Sequence, residues 1–179
     1  QIMEAVSLPP MRDTATIAKK PWATTGEGFG NTRRIINSLY IVPDVLESKN
    51  NQLQAVYDKL ALNEQMVEEY KTEDAEIVLA SYGTVGRIVK SAVDILREKN
   101  IKAGLIRPIT VFPFPSQSFK NAAARAKRFV AVELSMGQFI EDVKLAVQGR
   151  VPVDFYGRSG GNVMSPEDVA EFVQKEVAL

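Results

Sequence analysis

The chain has 179 residues, 45% of them apolar and 25% charged, and its 22 basic and 22 acidic side chains cancel to a formal net charge of zero. This is the balance of an ordinary globular domain with a real core, and it argues against partners held by charge alone, nucleic-acid phosphates or an anionic membrane surface. Cys and His are both absent, which excludes disulfides, iron–sulfur ligation, thiol nucleophiles, a Ser–His triad, a His-ligated zinc and a His general base from this segment. Few polypeptides of this size act alone as enzymes without either residue. No apolar run approaches the roughly 20 residues of a membrane span, and Gln1-Ile2-Met3-Glu4 lacks the basic and apolar regions of a signal peptide. A cytoplasmic location is expected. Gln1 is not an initiator Met, so the sequence reads as a piece of something longer.

Residues 1–44 hold no period for long and carry Pro9, Pro10, Pro21 and Pro43 with Gly26, Gly28 and Gly30. A structureless stretch of this length is uncommon inside a compact domain. It reads either as a tail or, given Ile2, Met3, Val6, Leu8, Met11, Trp22 and Phe29, as an interdomain connector arm lying on a neighbouring domain. Residues 45–71 read as one long amphipathic helix with Leu53, Val56, Tyr57, Leu60, Val67 and Tyr70 near one face; its simplest role is packing. From residue 72 to 179 strands and helices alternate. Glu76–Ala80 is a buried-type strand, followed by a Gly-bearing turn and a helix with Val85, Ile88, Val89, Ala92, Ile95 and Leu96 inward. Lys102–Ile106 is a second strand, and Pro108, Pro113 and Pro115 then force an extended loop. A helix runs from Ser116, a plausible cap, to about Lys127. Arg128–Glu133 is a third strand, Met136–Val147 a helix and Val151–Phe155 a fourth strand. Ser165-Pro166 with Asp168 opens a last helix: a Ser cap, Pro at its first position, and an acid three residues on. Four βα units in series predict a mostly parallel sheet with helices on both faces, a three-layer α/β/α sandwich.

In open α/β sheets, ligands meet the loops at the carboxyl ends of the strands. Here these are 81–84, 107–110, 133–137 and 157–161. Gly83 and Thr84, in Gly83-Thr-Val-Gly86, could present amides at a helix start to a phosphate, but the simpler reading is a tight strand–helix turn. Glu133 ends a strand with Gln138 and Asp142 beyond it. A carboxylate there would bond amides of a neighbouring loop or face a partner's basic group, and general-acid use would need a raised pKa. Arg158, beside Gly160 in a Gly-rich loop, could hold an anion through its guanidinium fork; a salt bridge is the simpler role, as it is for Arg107. Val111-Phe-Pro-Phe-Pro115 either covers the core or makes a protein contact.

Several segments resemble the α-type subunits of 2-oxoacid:ferredoxin oxidoreductases. They are Ala80–Thr84 with Ala92–Leu96, Gly104–Thr110 with Phe112–Pro115, Val132–Gln138, and Phe155–Gly161 followed by Ser165-Pro-Glu. Lys20-Pro-Trp22 and Ile35–Tyr40 resemble the connector after the pyrimidine-binding domain of such subunits. The resemblance covers essentially the whole chain. It implies a fold similar to the carboxyl-terminal domain of transketolases, with a mixed five-stranded sheet, one strand antiparallel; the strand not visible as a pattern is expected around Arg34–Val42. It implies a complete enzyme that decarboxylates a 2-oxo acid on thiamine diphosphate and Mg²⁺, forms an acyl-CoA, and passes electrons through iron–sulfur clusters to ferredoxin. Its partners would be the pyrimidine-type domain and the other oxidoreductase subunits, in an oligomer. The Phe155-Tyr-Gly-Arg158 and Gly160-Gly161 pair looks most like branched-chain (2-oxoisovalerate) enzymes, then 2-oxoglutarate, then pyruvate enzymes. No Gly-Asp-Gly…Asn motif is present, so this segment alone is expected to bind no thiamine diphosphate, hold no metal and supply no catalytic residue. Gly83, Thr84, Arg158 and Gly160 remain its candidates for an accessory cofactor contact. Two other classes compete: a free-standing flavodoxin-like module using residues 81–84 and 157–161 for a phosphate, and a purely structural assembly domain.

Overall fold

The computed structural model describes residues 7–24 and 33–177, so Ile2, Met3, Val6, Gly26, Gly28, Phe29 and Gly30 lie outside the described residues. The chain divides into two compact units, residues 1–49 and 50–179. In the first, Asp13 caps a single 3₁₀ turn, Thr14–Thr16, by accepting from the Ala15 amide at 2.9 Å. Residues 33–41 form no strand, which corrects the placement of a fifth strand there. Leu8, Met11, Trp22, Ile35 and Leu39 are exposed.

Helix α1 is Pro43–Asn63, not a helix to Tyr70. It ends where Asn63 and Gln65 turn their side-chain amides back onto the Lys59 and Ala61 carbonyls, satisfying acceptors the last turn leaves open. Val67–Tyr70 is instead strand β1, antiparallel to β3 with Val67 opposite Pro108 and Tyr70 opposite Leu105. This is the missing fifth strand, and it starts the sheet at Val67 rather than after residue 72. No residue of α1 is fully buried, but Leu60 is half-buried and the Tyr57 ring meets Phe112 edge-on with centroids 6.0 Å apart.

The other elements are β2 Ile77–Ala80, α2 Gly83–Glu98, β3 Ala103–Pro108, α3 Ser116–Ala123, β4 Arg128–Glu133, α4 Phe139–Val147, β5 Val153–Gly157 and α5 Pro166–Phe172. The sheet order is β1-β3-β2-β4-β5, with β2, β3, β4 and β5 parallel. Alternation along each strand splits the core in two. Ile77, Leu79, Leu105 and Val130 face α2 and α5, while Val78, Ala80, Ile106 and Phe129 face α3 and α4. The expected three-layer sandwich is therefore present. Ser165 and Asp168 form the expected capping box on α5. Ser116 does not cap α3: it is the helix's first residue, and Pro115 occupies the cap position without a side-chain bond.

Two details fix the β1 margin. Gly104 packs so closely that a Cβ there would lie 2.6 Å from the Lys71 carbonyl oxygen. Gly104→Ala must move backbone rather than a side chain, and we expect a loss of about 1–3 kcal/mol in urea unfolding; unchanged stability would mean the Lys71 corner yields freely. Glu68 accepts from Lys90 Nζ at 2.6 Å and from Arg107 at 2.9 Å. These two hydrogen bonds, Lys90 first, hold its carboxyl below the ordinary carboxylate range. A depressed carboxylate stabilises the fold above its unfolded pKa, and that contribution fades as pH falls through the lower folded value. Glu68→Gln should therefore cost about 0.5–1 kcal/mol at neutral pH and nothing in strong acid. A wild-type-to-variant gap that persists at acid pH would contradict the ion pairs as its source.

Candidate functional site at the carboxyl edge of the sheet

Chain order reverses around β2, whose connection through α2 leads to β3 on one side while α3 returns the chain to β4 on the other. The crevice between the carboxyl ends of β2 and β4 is the switch point at which α/β sheets bind ligands. A cleft of about 220 Å³ lies there, lined by Tyr82, Val111, Gln138, Phe139 and Asp142. Gln138 and Asp142 were legible as site candidates; Tyr82, Val111 and Phe139 were not, because they join only once three loops converge. The Tyr82 ring lies 5.1 Å from that of Phe139, which neighbours Phe114 at 6.1 Å. An aromatic wall thus faces one carboxamide and one carboxylate.

Glu133 is 1% exposed. It accepts from the Ser135 hydroxyl at 2.6 Å and from the amides of Gln138, Phe139 and Ile140 at 3.1, 2.9 and 3.1 Å. A strand-end carboxylate thus occupies the amino end of α4, where free amides and the helix dipole favour negative charge. Of the roles considered for Glu133, the structure shows the bond to neighbouring amides. Arg107 likewise takes the salt-bridge role, with Glu68. The Val111–Pro115 loop takes the core-covering role in part. Phe114 packs into the core on the α3/α4 face, whereas Val111 and Phe112 point outward, Phe112 at 65% exposure.

The four candidate cofactor residues do not form one site. Gly83, at φ +57°, and Thr84 open α2 beside the switch crevice. Arg158 and Gly160 follow β5, on the far side of β4. The Arg158 amide donates to the Glu133 carbonyl at 3.2 Å, extending the β4–β5 ladder, and its side chain is exposed. Gly160, at φ +66°, faces open space. Among the described residues no group of three or more acidic side chains gathers as a metal site, and none of their helices is long and apolar enough to cross a membrane.

A five-stranded mixed sheet, helices on both faces and a cleft at the chain reversal define an α/β sandwich of the transketolase carboxyl-terminal type. A split-gene transketolase, an inactive β4 tetramer, superposes over 62% of this chain and 40% of its own with a TM-score of 0.53 at 17% identity. The 2-oxoglutarate:ferredoxin oxidoreductase from Magnetococcus marinus, solved with 2-oxoglutarate, coenzyme A and succinyl-CoA bound, superposes over 75% of this chain and 24% of its own, with a TM-score of 0.63 at 16% identity. In sequence, residues 75–169 match the pyruvate:ferredoxin oxidoreductase core domain II family, and the chain belongs to that family. The ketoisovalerate oxidoreductase subunit VorB of Methanothermobacter marburgensis is 41% identical over 154 residues, 86% of this chain and 43% of that subunit. The chain thus spans less than half the length of this relative.

Proposed function

We propose that this chain is the carboxyl-terminal, transketolase-like domain of an α-type subunit in a cytoplasmic thiamine-diphosphate-dependent 2-oxoacid:ferredoxin oxidoreductase, with 2-oxoisovalerate as substrate. The complete enzyme would convert the 2-oxo acid, CoA and oxidised ferredoxin to acyl-CoA, CO₂ and reduced ferredoxin. The observation that carries this reading is the 41% identity to a ketoisovalerate oxidoreductase subunit over most of the chain.

Within that enzyme the segment is a scaffold and subunit interface. The carboxyl edge presents Ile109, Val111, Phe112, Leu134, Met136 and Val163 outward, Met136 at 81% exposure, and apolar patches of this kind mark protein contacts. The arm of residues 1–44, with Trp22 exposed, is the connector to the pyrimidine-type domain. The edge loops offer hydroxyl, carboxamide and one cleft carboxylate, which do not fit the metal-anchored diphosphate of thiamine diphosphate; that cofactor, its Mg²⁺ and the iron–sulfur clusters sit on other parts of the enzyme. Arg158 and Gly160 are the residues assigned an accessory contact to the acyl-CoA path or a neighbouring subunit.

The test is ferredoxin reduction by the complete enzyme containing this chain, with CoA and each of 2-oxoisovalerate, 2-oxoglutarate and pyruvate. Turnover should be highest with 2-oxoisovalerate; turnover with 2-oxoglutarate alone would overturn the substrate assignment. Calorimetry of this chain with thiamine diphosphate and Mg²⁺ should give no stoichiometric heat, and micromolar binding would overturn the scaffold role.

A further inference from the structure

Two buried polar atoms without partners lie side by side under the first turn of α2. Ser81 is 0% exposed, and neither its hydroxyl nor Arg107 Nε has a hydrogen-bond partner. The two residues are neighbours: Ala80 pairs with Ile106, and the Ser81 amide continues the ladder by donating to the Ile106 carbonyl at 3.3 Å. Both point toward α2. On β2, Ile77 and Leu79 face that helix, and on β3, Ala103 and Leu105 do, so strand alternation turns Ser81 and Arg107 to the same side. Gly86 confirms it, since a Cβ on Gly86 would lie 2.7 Å from Arg107 Nε. Only a glycine in the first turn lets the guanidinium reach beneath it.

Above these atoms, α2 runs 16 residues with no side-chain cap and no acidic residue in its first turn, so its leading amides have no intrahelical acceptor. The amides, the Ser81 hydroxyl and the Arg107 Nε–H can all donate here, while Arg107 already gives one guanidinium N–H to Glu68 at 2.9 Å. The same chemistry is already filled next door, where α4 holds the Glu133 carboxylate and α5 is closed by Ser165 and Asp168.

We propose that the start of α2, with Ser81 and Arg107 as its floor, binds, without a metal ion, a phosphate group of a small ligand other than the Mg²⁺-anchored diphosphate of thiamine diphosphate. A tetrahedral group presents oxygens to amides on one side and to Nε–H and Oγ–H on another, which a planar carboxylate does less well. Because the floor atoms are closed to solvent, the Gly83–Gly86 turn moves to admit the anion, and its two glycines permit this.

The test uses the full chain and inorganic pyrophosphate, with sodium chloride at matched ionic strength as control. Amide resonances of Gly83, Thr84 and Val85 should shift saturably with pyrophosphate and not with chloride. Ser81→Ala should weaken binding about fivefold and Arg107→Lys, which keeps the charge but lacks Nε, about tenfold. Ser81→Ala should fold with an unchanged or raised melting temperature, because it removes an unpartnered hydroxyl. Amides that respond equally to chloride, or variants that bind pyrophosphate as the wild type does, would overturn the site. A clear fall in melting temperature for Ser81→Ala would overturn it too, by giving the hydroxyl a structural partner.

Discussion

Glu133→Ala is expected to cost about 3–5 kcal/mol of folding stability, measured by chemical denaturation. The carboxylate is almost fully buried and accepts from three consecutive amides and a hydroxyl. Removing it strands the Phe139 and Ile140 amides in buried surroundings, at about 1–3 kcal/mol for each unsatisfied group. Gln138 is exposed, so water can replace its bond and the third loss is smaller. Glu133→Gln keeps a carbonyl acceptor but turns an amino group toward donors, and should fall between wild type and Ala. Exchange of the Phe139 and Ile140 amides should quicken before that of α2, because the damage is local to α4. A loss below about 1 kcal/mol would show that the amides find other acceptors, and the structural role assigned to this carboxylate would be wrong.

Phe129→Ala should cost a similar amount, about 3–5 kcal/mol. The ring is 0% exposed on the interior strand β4 and stacks on Phe119 with centroids 6.0 Å apart. Phe119 in turn meets Phe114 at 5.1 Å, Phe114 meets Phe139, and Phe139 meets Tyr82. The aromatic column therefore runs from the sheet to the cleft wall. A cavity at its base deprives Phe119 of its neighbour, and the loosening should be felt at Tyr82. We expect a weakened near-ultraviolet circular dichroism signal under conditions where the far-ultraviolet signal shows the fold intact. Full retention of the near-ultraviolet signal would mean that the column is a set of independent pairs.

The parallel strands were legible because each is a short apolar run bounded by turn residues, and β2 and β4 differ little from the runs first identified. Strand β1 was not. Val67-Glu-Glu-Tyr70 combines helix-forming Glu residues with apolar side chains three apart, so it extends the periodicity of α1 without a break; what makes it a strand is pairing with β3, some forty residues away. Strand β5, expected at Val151–Phe155, lies two residues later, at Val153–Gly157. At the site, the polar residues Glu133, Gln138 and Asp142 stood out by position after a strand. Their partners did not, since the amides that hold Glu133 and the rings that line the cleft are defined by the folded loops. The unpartnered state of Ser81 was likewise invisible, because it depends on what α2 fails to supply.

The antiparallel margin also bears on how the molecule opens. β2, β3, β4 and β5 are tied to one another by helical crossovers, and none can leave without dragging a helix off the sheet. β1 is joined to no crossover: it comes directly from α1 and pairs with β3 alone, through its ladder, the Met66–Thr110 bonds and the Glu68–Arg107 ion pair, while Glu68 to Lys90 and Tyr70 and Lys71 to Asp94 fasten its margin to α2. To leave, it must break these α2 bonds and withdraw Tyr70 and Val67 from the core, but no crossover helix goes with it, so an opening here is sub-global. Its release would bare the outer edge of β3, the sort of unpaired edge that recruits strands from other chains, and would take from Arg107 the carboxylate that steadies it beneath α2.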